Sequence, residues 1–337
     1  MRLRRVSSHQ PGWERRRSGR GFRYLDELGR PLGADDIARV KSLVIPPAWR
    51  EVWICPLPNG HLQAVGTDDA GRRQYLYHPD WRAGRDRAKF QRVAAAAHHL
   101  PEARAQITRD LRSEGLTKER ACATAVRLLD VGYFRVGNDA YTDANGSFGL
   151  TTLERRHVRR RGDDLVFSFV GKSGIVHTIE VSDPDAVAAL AQMRARKGGS
   201  RLLAHHDGNH TLASGEGWRD LTSADVNSYL ADLFDGEFTA KDFRTWHAGV
   251  IAAEVLATTD EPGTSEASRK RAVKQAVMEV SSYLGNTPAI ARSSYIDPRI
   301  IDLYESGTTI GDAARARHRS PTARQTALER ALLDLLD

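Results

Sequence analysis

In the stretch Leu165-Val166-Phe167-Ser168-Phe169-Val170-Gly171-Lys172-Ser173-Gly174-Ile175-Val176-His177-Thr178-Ile179-Glu180-Val181, two strand-like runs flank a short Gly-Lys-Ser-Gly turn. Gly171-Lys172-Ser173 invites a phosphate-loop reading. That motif needs a glycine five positions before Gly171, where Val166 stands, and a helix directly after. Ile175 to Val181 is instead a strand-like run rich in β-branched residues. The nucleotide-binding reading therefore fails on context. What remains is a β-hairpin carrying a lysine at its tip, a long mobile cation able to reach into a groove and donate a proton.

Working outward, the hydrophobic period on both sides of the hairpin is helical. Upstream it predicts helices over 86–99, 101–113 and 117–133, and downstream over 184–196, 222–234, 240–257, 267–284 and 321–336. Thr222-Ser223-Ala224-Asp225 and Thr239-Ala240-Lys241-Asp242 have the form of capping boxes. From Phe22 to about Tyr77 the pattern is strand-like, with turns at Asn59-Gly60 and Asp69-Ala70-Gly71 and a short helix over 34–43. Residues 1–20 are Arg-rich and punctuated by Gly and Ser, and are expected to be a mobile basic arm. The expected fold class is α+β: a small β-rich N-terminal domain (1–85) followed by a larger, mainly α-helical catalytic domain with a β-hairpin (86–337).

With 337 residues there is room for two domains or one large one, with ample core. Apolar runs fall far short of about 20 residues, so no membrane span is expected. The two cysteines, Cys55 and Cys122, are too few for a disulfide framework and are not spaced as metal ligands. A reducing, cytoplasmic setting is expected. Lys and Arg total 50 against 43 acidic residues, and the resulting +7, weighted toward arginine, favours a polyanion such as nucleic acid.

Several residues stand out as chemistry-bearing. Leu284-Gly285-Asn286-Thr287-Pro288 stops one helix and starts another that leads to Tyr295. Tyrosine is a poor nucleophile in water because its pKa is near 10, but it becomes useful against a phosphodiester surrounded by cations. Taken singly, each candidate has a plain alternative. Lys172 reads as a solvated turn residue, and Arg135 as a helix cap or a partner of Asp130 or Asp139. Arg244 reads as part of a basic helix face with Lys241, and Tyr295 as a half-buried aromatic.

Together they resemble the type IB DNA topoisomerases of the small, poxvirus-like bacterial kind. The N-terminal similarity runs through Ile45-Pro46-Pro47-Ala48-Trp49, Gly60-His61-Leu62-Gln63-Ala64 and Gln74-Tyr75-Leu76-Tyr77-His78-Pro79. The C-terminal similarity runs through Arg135-Val136-Gly137-Asn138, Gly149-Leu150-Thr151-Thr152-Leu153, Gly171-Lys172, Lys241-Asp242-Phe243-Arg244-Thr245 and Leu284 through Tyr295. The resemblance implies relaxation of supercoiled double-stranded DNA through a transient 3′-phosphotyrosine, with no cofactor, no ATP and no metal. It makes Tyr295 the nucleophile, Arg135 and Arg244 the phosphate-binding arginines, and Lys172 the hairpin lysine. The 5′-oxygen leaving group needs a proton donor, and Lys172 is the expected general acid, directly or through Arg135. The family's histidine nine residues before the tyrosine is here Asn286, which implies a neutral hydrogen-bond donor.

For DNA binding, the resemblance places Gln74, Tyr75 and Tyr77 on a sheet surface facing the major groove, and Tyr141 and Lys241 near phosphates. It further implies a monomer associated with the nucleoid. The cluster His205-His206-Asp207-Gly208-Asn209-His210 reads as a polar turn rather than a metal site. A tyrosine recombinase shares the chemistry, but recombinases carry His-x-x-Arg at the second arginine, where this chain has Lys241-Asp242-Phe243-Arg244. A non-catalytic DNA-binding protein of the same fold is the other alternative.

Overall fold

The computed structural model describes residues 2–137, 146–206, 217–259 and 265–337. The chain is α+β, as expected, and divides into two units, Met1–Lys89 and Phe90–Asp337. In the first unit, five antiparallel strands form one sheet in the order β2-β1-β3-β4-β5. These are β1 (Trp13–Ser18), β2 (Gly21–Leu25), β3 (Arg50–Ile54), β4 (Leu62–Thr67) and β5 (Arg73–Tyr77); α1 (Ala34–Ser42) lies between β2 and β3. Trp13, Val40, Val52, Ile54 and Ala64 form its apolar core.

The mobile arm expected over 1–20 is corrected here, because its second half is an inner strand. Arg15 of β1 pairs with Tyr24 on one side and Val52 on the other. Trp13 and Arg15 point inward while Glu14 and Arg16 point out, an alternation hidden by the density of charge. The Arg15 guanidinium donates to the carbonyls of Ile45, Pro46 and Trp49 at 3.0, 2.9 and 2.8 Å. Its donors are thus spent on the backbone of the Ile45–Trp49 segment, and its apolar stem crosses the core.

The second unit begins inside α2 (Pro79–Ala97), which is followed by α3 (Leu100–Leu111) and α4 (Lys118–Gly132). Helix α2 starts at Pro79 rather than at 86, since proline is suited to the first helical position, where no backbone donor is needed. Next comes a three-stranded antiparallel sheet, β6 (Val158–Arg161), β7 (Asp164–Val170) and β8 (Val176–Val181). The β7–β8 pair is the expected hairpin. Strand β6 carries no apolar alternation in its sequence, because Val158 is the only apolar residue in Val158-Arg159-Arg160-Arg161.

Helix α5 (Pro184–Ala195) and a short strand pair, β9 (Ala204–His206) and β10 (Trp218–Asp220), come next. His205 and His206 thus lie in a strand rather than a turn, and the rest of that cluster is outside the described residues. The remaining helices are α6 (Ser223–Leu233), α7 (Ala240–Thr258), α8 (Glu266–Leu284), α9 (Pro288–Ser294), α10 (Pro298–Glu305), α11 (Gly311–Arg315) and α12 (Pro321–Leu336). Both capping boxes form: Asp225 Oδ2 accepts from the Thr222 backbone N–H, and Asp242 Oδ2 from that of Thr239, each at 3.0 Å.

Helix α4 is central and packs against α3, α5, α6, α7 and β8. Its alanines 121, 123 and 125 admit close neighbours, while Leu128 and Leu129 are fully buried. Each such leucine contributes about 1.5–3 kcal/mol. Helix α7 is the second hub, packing against α8, α10, α11 and α12. The C-terminal end of α4, the first turns of α7, the C-terminal end of α8 and the β7–β8 turn meet at one cleft.

Candidate active site

Two helix ends, the start of α7 and the β7–β8 turn build the cleft, which measures about 510 Å³. Helix α4 ends on Tyr133, which adopts the left-handed region at φ 57° despite its side chain. Packing holds it there: its ring lies edge-on to Tyr283 at 4.2 Å and to His247 at 4.6 Å, centroid to centroid. The turn frees the Tyr133 carbonyl and carries the chain to Arg135. There the Arg135 and Val136 carbonyls accept from Leu150 N and Thr151 N, each at 2.8 Å. Helix α8 ends on Gly285 at φ 59°, a left-handed cap that glycine adopts without a Cβ clash.

Arg244 sits in the second turn of α7 and is 5% exposed. Its Nη1 donates to the Tyr133 carbonyl and its Nη2 to the Leu284 carbonyl, both at 2.6 Å. Its Nε is buried without a partner among the described residues. Arg135 Nη2 donates to the Gly285 carbonyl at 3.1 Å and to Asn286 Oδ1 at 2.6 Å. Because a guanidinium only donates, that bond fixes the Asn286 amide with oxygen toward Arg135. Asn286 Nδ2 is left buried and unpaired, a donor with no acceptor among the described residues.

Tyr295 caps the C-terminal end of α9, with the Arg244 guanidinium carbon 5.7 Å from its ring centroid. Burial pushes its phenol up, but Arg244, Lys241 and Arg135 outweigh that and hold it below its ordinary value. Burial, followed by repulsion from Arg135, brings the Arg244 guanidinium down to about 10, so it stays charged at neutral pH. Burial also lowers Arg135. Lys172 is exposed on a one-turn 3-10 segment (Lys172–Gly174) at the margin of the same cleft.

Arg135, Arg244, Asn286 and Tyr295 are therefore brought together, with Lys172 and Lys241 beside them. Chemically, this is a phenol made easier to ionise, facing two fixed guanidinium groups and an unsatisfied amide donor. Tyr75 and Tyr77 lie in the first unit, 47% and 41% exposed, with their rings stacked at 6.2 Å. Gln74 alternates to the opposite face of β5 and donates to Asp68 Oδ2 at 2.9 Å. Tyr141 lies outside the described residues.

Two features of this site were not read from the sequence. His177 of β8 lines the cleft. A buried network also lies beneath Tyr133. There Arg104 pairs with both Asp130 and Glu329, and His247 Nε2 lies 3.1 Å from Asp130 Oδ1. His247 follows Arg244 by three positions, one helical turn on, which is the only local signal for it.

The chain thus combines a β-rich unit with a helical unit that carries a hairpin and a tyrosine set among arginines. Residues 78–309 match the family described as eukaryotic DNA topoisomerase I, catalytic core, and residues 21–68 match bacterial DNA topoisomerase IB, N-terminal domain. DNA topoisomerase 1B of Acanthamoeba polyphaga mimivirus is 27% identical over 301 residues, 88% of either chain. DNA topoisomerase 1 of Schizosaccharomyces pombe is 30% identical over 175 residues, covering 51% of this chain and 19% of that one. DNA topoisomerase 1B of Vaccinia virus (strain Copenhagen) is 21% identical over 243 residues, 72% of either chain. The chain belongs to the type IB DNA topoisomerase family, and its function is that of a type IB topoisomerase enzyme. Among the described residues no helix is long and apolar enough to cross a membrane.

Proposed function

We propose that this chain relaxes supercoiled duplex DNA through Tyr295, with Arg135, Arg244, Asn286 and Lys172 as its catalytic partners. The Tyr295 oxygen attacks a backbone phosphorus, losing its proton to solvent, and the bond to the 5′-oxygen breaks. Charge builds on the non-bridging oxygens, where Arg135, Arg244 and the Asn286 amide act as prearranged donors. The 5′-oxygen is a poor leaving group unless protonated, and Lys172 supplies that proton. The phosphotyrosine ester conserves the bond energy, so the 5′-hydroxyl reseals the strand after rotation without ATP or metal. The observation that carries this reading is the unpaired, buried Asn286 Nδ2 beside Arg135 and the cation-lowered Tyr295 phenol.

In the same reading Lys241 and Tyr141 contact phosphates, and the exposed Tyr75–Tyr77 pair faces the major groove. Gln74 takes part by giving up its bond to Asp68. The enzyme acts as a monomer on nucleoid DNA in the cytoplasm. Plasmid relaxation in EDTA without ATP tests the reading. Loss of both relaxation and the denaturation-resistant adduct in Tyr295→Phe supports it, while unchanged relaxation excludes Tyr295 as the nucleophile.

A further inference from the structure

His177, the second residue of β8, has no part in the chemistry above, yet its ring is wedged between two of the backbone segments that build the cleft. A Cβ placed on Gly171 would lie 2.5 Å from His177 Cδ2, and one placed on Gly285 would lie 2.9 Å from His177 Cε1. Both distances are shorter than real Cβ contacts, so the imidazole fills the space that two side chains would need. Phe169 lies against the ring at 5.4 Å, centroid to centroid. One contact is therefore to the residue before Lys172. The other is to the residue before Asn286, whose carbonyl accepts from Arg135.

The geometry has a consequence for Lys172. That lysine is exposed, on a short turn closed by Gly171 N donating to Ile175 O at 2.7 Å. Its four-carbon stem gives the ammonium wide freedom. The turn belongs to the three-stranded sheet, whereas Asn286 and the carbonyls gripped by the arginines belong to the end of α8. Within the cleft, the His177 ring spans the distance between these two parts. Burial, then Arg135 and Arg244, hold its imidazole below its ordinary value, so the wedge adds no third cation at neutral pH.

We propose that His177 is a positioning residue for leaving-group protonation, setting the Lys172 turn at a fixed distance from the Gly285–Asn286 cap. The proposal rests on the reading that Lys172 protonates the 5′-oxygen. In that step the Tyr295 Oη–phosphorus bond forms, the phosphorus–O5′ bond breaks, and O5′ takes its proton from Lys172 Nζ. A misplacement of about 1 Å in such a group costs on the order of a hundredfold in rate. The defect is confined to the step that needs the proton.

The test is single-turnover cleavage of a duplex carrying either the ordinary 5′-oxygen or a bridging 5′-sulfur at the scissile phosphate. The sulfur leaves as a thiolate and needs no proton. His177→Ala is expected to cleave the oxygen duplex about tenfold to a hundredfold more slowly than wild type. It should match wild type on the sulfur duplex and bind either DNA with unchanged affinity. His177→Gln, which refills much of the space with a flexible amide, should show a smaller defect on oxygen and none on sulfur. It also serves as the informative variant if the alanine protein folds poorly.

Lys172→Ala is the control and should be slow on oxygen and restored on sulfur. Wild-type rates for His177→Ala on oxygen overturn the proposal. So does an equal defect on both substrates while Lys172→Ala is restored by sulfur, which would mark a merely structural role. If Lys172→Ala is not restored, the Lys172 reading itself falls and takes the proposal with it.

Discussion

At the scale of the residue, Asn286 is the most telling position. Its Oδ1 is held by Arg135 at 2.6 Å, and its Nδ2 is buried with no acceptor among the described residues. Burying an unpaired donor costs about 1–3 kcal/mol, a penalty removed when a phosphate oxygen arrives. Asn286→Ala should therefore slow single-turnover cleavage by about a hundredfold, the scale seen when one prearranged donor to a developing anion is lost. Asn286→His keeps a donor and should be slowed less; the opposite order would contradict the assignment. Arg135, Lys172, Arg244 and Tyr295 were singled out by the family resemblance of their ordered spacing, and the fold gathers them around one cleft. His177 was not singled out, because along β8 it is one half-buried residue flanked by exposed Val176 and Thr178, and only the fold brings Gly171 and Gly285 to its ring.

At the scale of the element, the ends of helices do the positioning, and one buried charge network braces them. Arg104 of α3 binds Asp130 of α4 and Glu329 of α12, and Asp130 also meets His247 of α7. Burial alone would raise the Asp130 carboxyl, but Arg104 and His247 hold it well below the usual carboxylate range. A carboxylate whose folded pKa is depressed contributes stability that is fully present above its unfolded pKa. That stability is lost as pH falls toward the folded value, here below about pH 4. Asp130→Asn leaves the partly buried Arg104 guanidinium with Glu329 alone and should cost about 3 kcal/mol, the low end of the range for a broken buried pair. Thermal unfolding should show it as a fall in Tm of roughly 10 °C, with a weaker acid dependence than wild type. An unchanged Tm would mean that the network does not brace the site. Helices and capping boxes were legible from period and spacing, which are local. The network was not, since Arg104 and Glu329 lie 225 positions apart.

At the scale of the whole molecule, the +7 charge overstates the surface open to DNA. Arg15, Arg120 and Arg196 are buried and donate to backbone carbonyls, so they serve the fold rather than a phosphate. The arm expected from the arginines of residues 1–20 failed for the same reason, because a sequence does not say whether a guanidinium meets a carbonyl or a phosphate. DNA affinity should still fall steeply with salt, linearly in log–log form, because the remaining contacts displace counterions. A flat salt dependence would contradict binding through phosphates. In the proposed reading Tyr295, set among Arg135, Arg244, Asn286 and Lys172, cuts and reseals DNA without ATP or metal. That reading is tested most directly by incubating supercoiled plasmid with wild-type and Tyr295→Phe protein in EDTA without ATP. Relaxation and a denaturation-resistant protein–DNA adduct are expected for wild type alone, with DNA binding kept by the variant. Relaxation by Tyr295→Phe, or none by wild type, would contradict it.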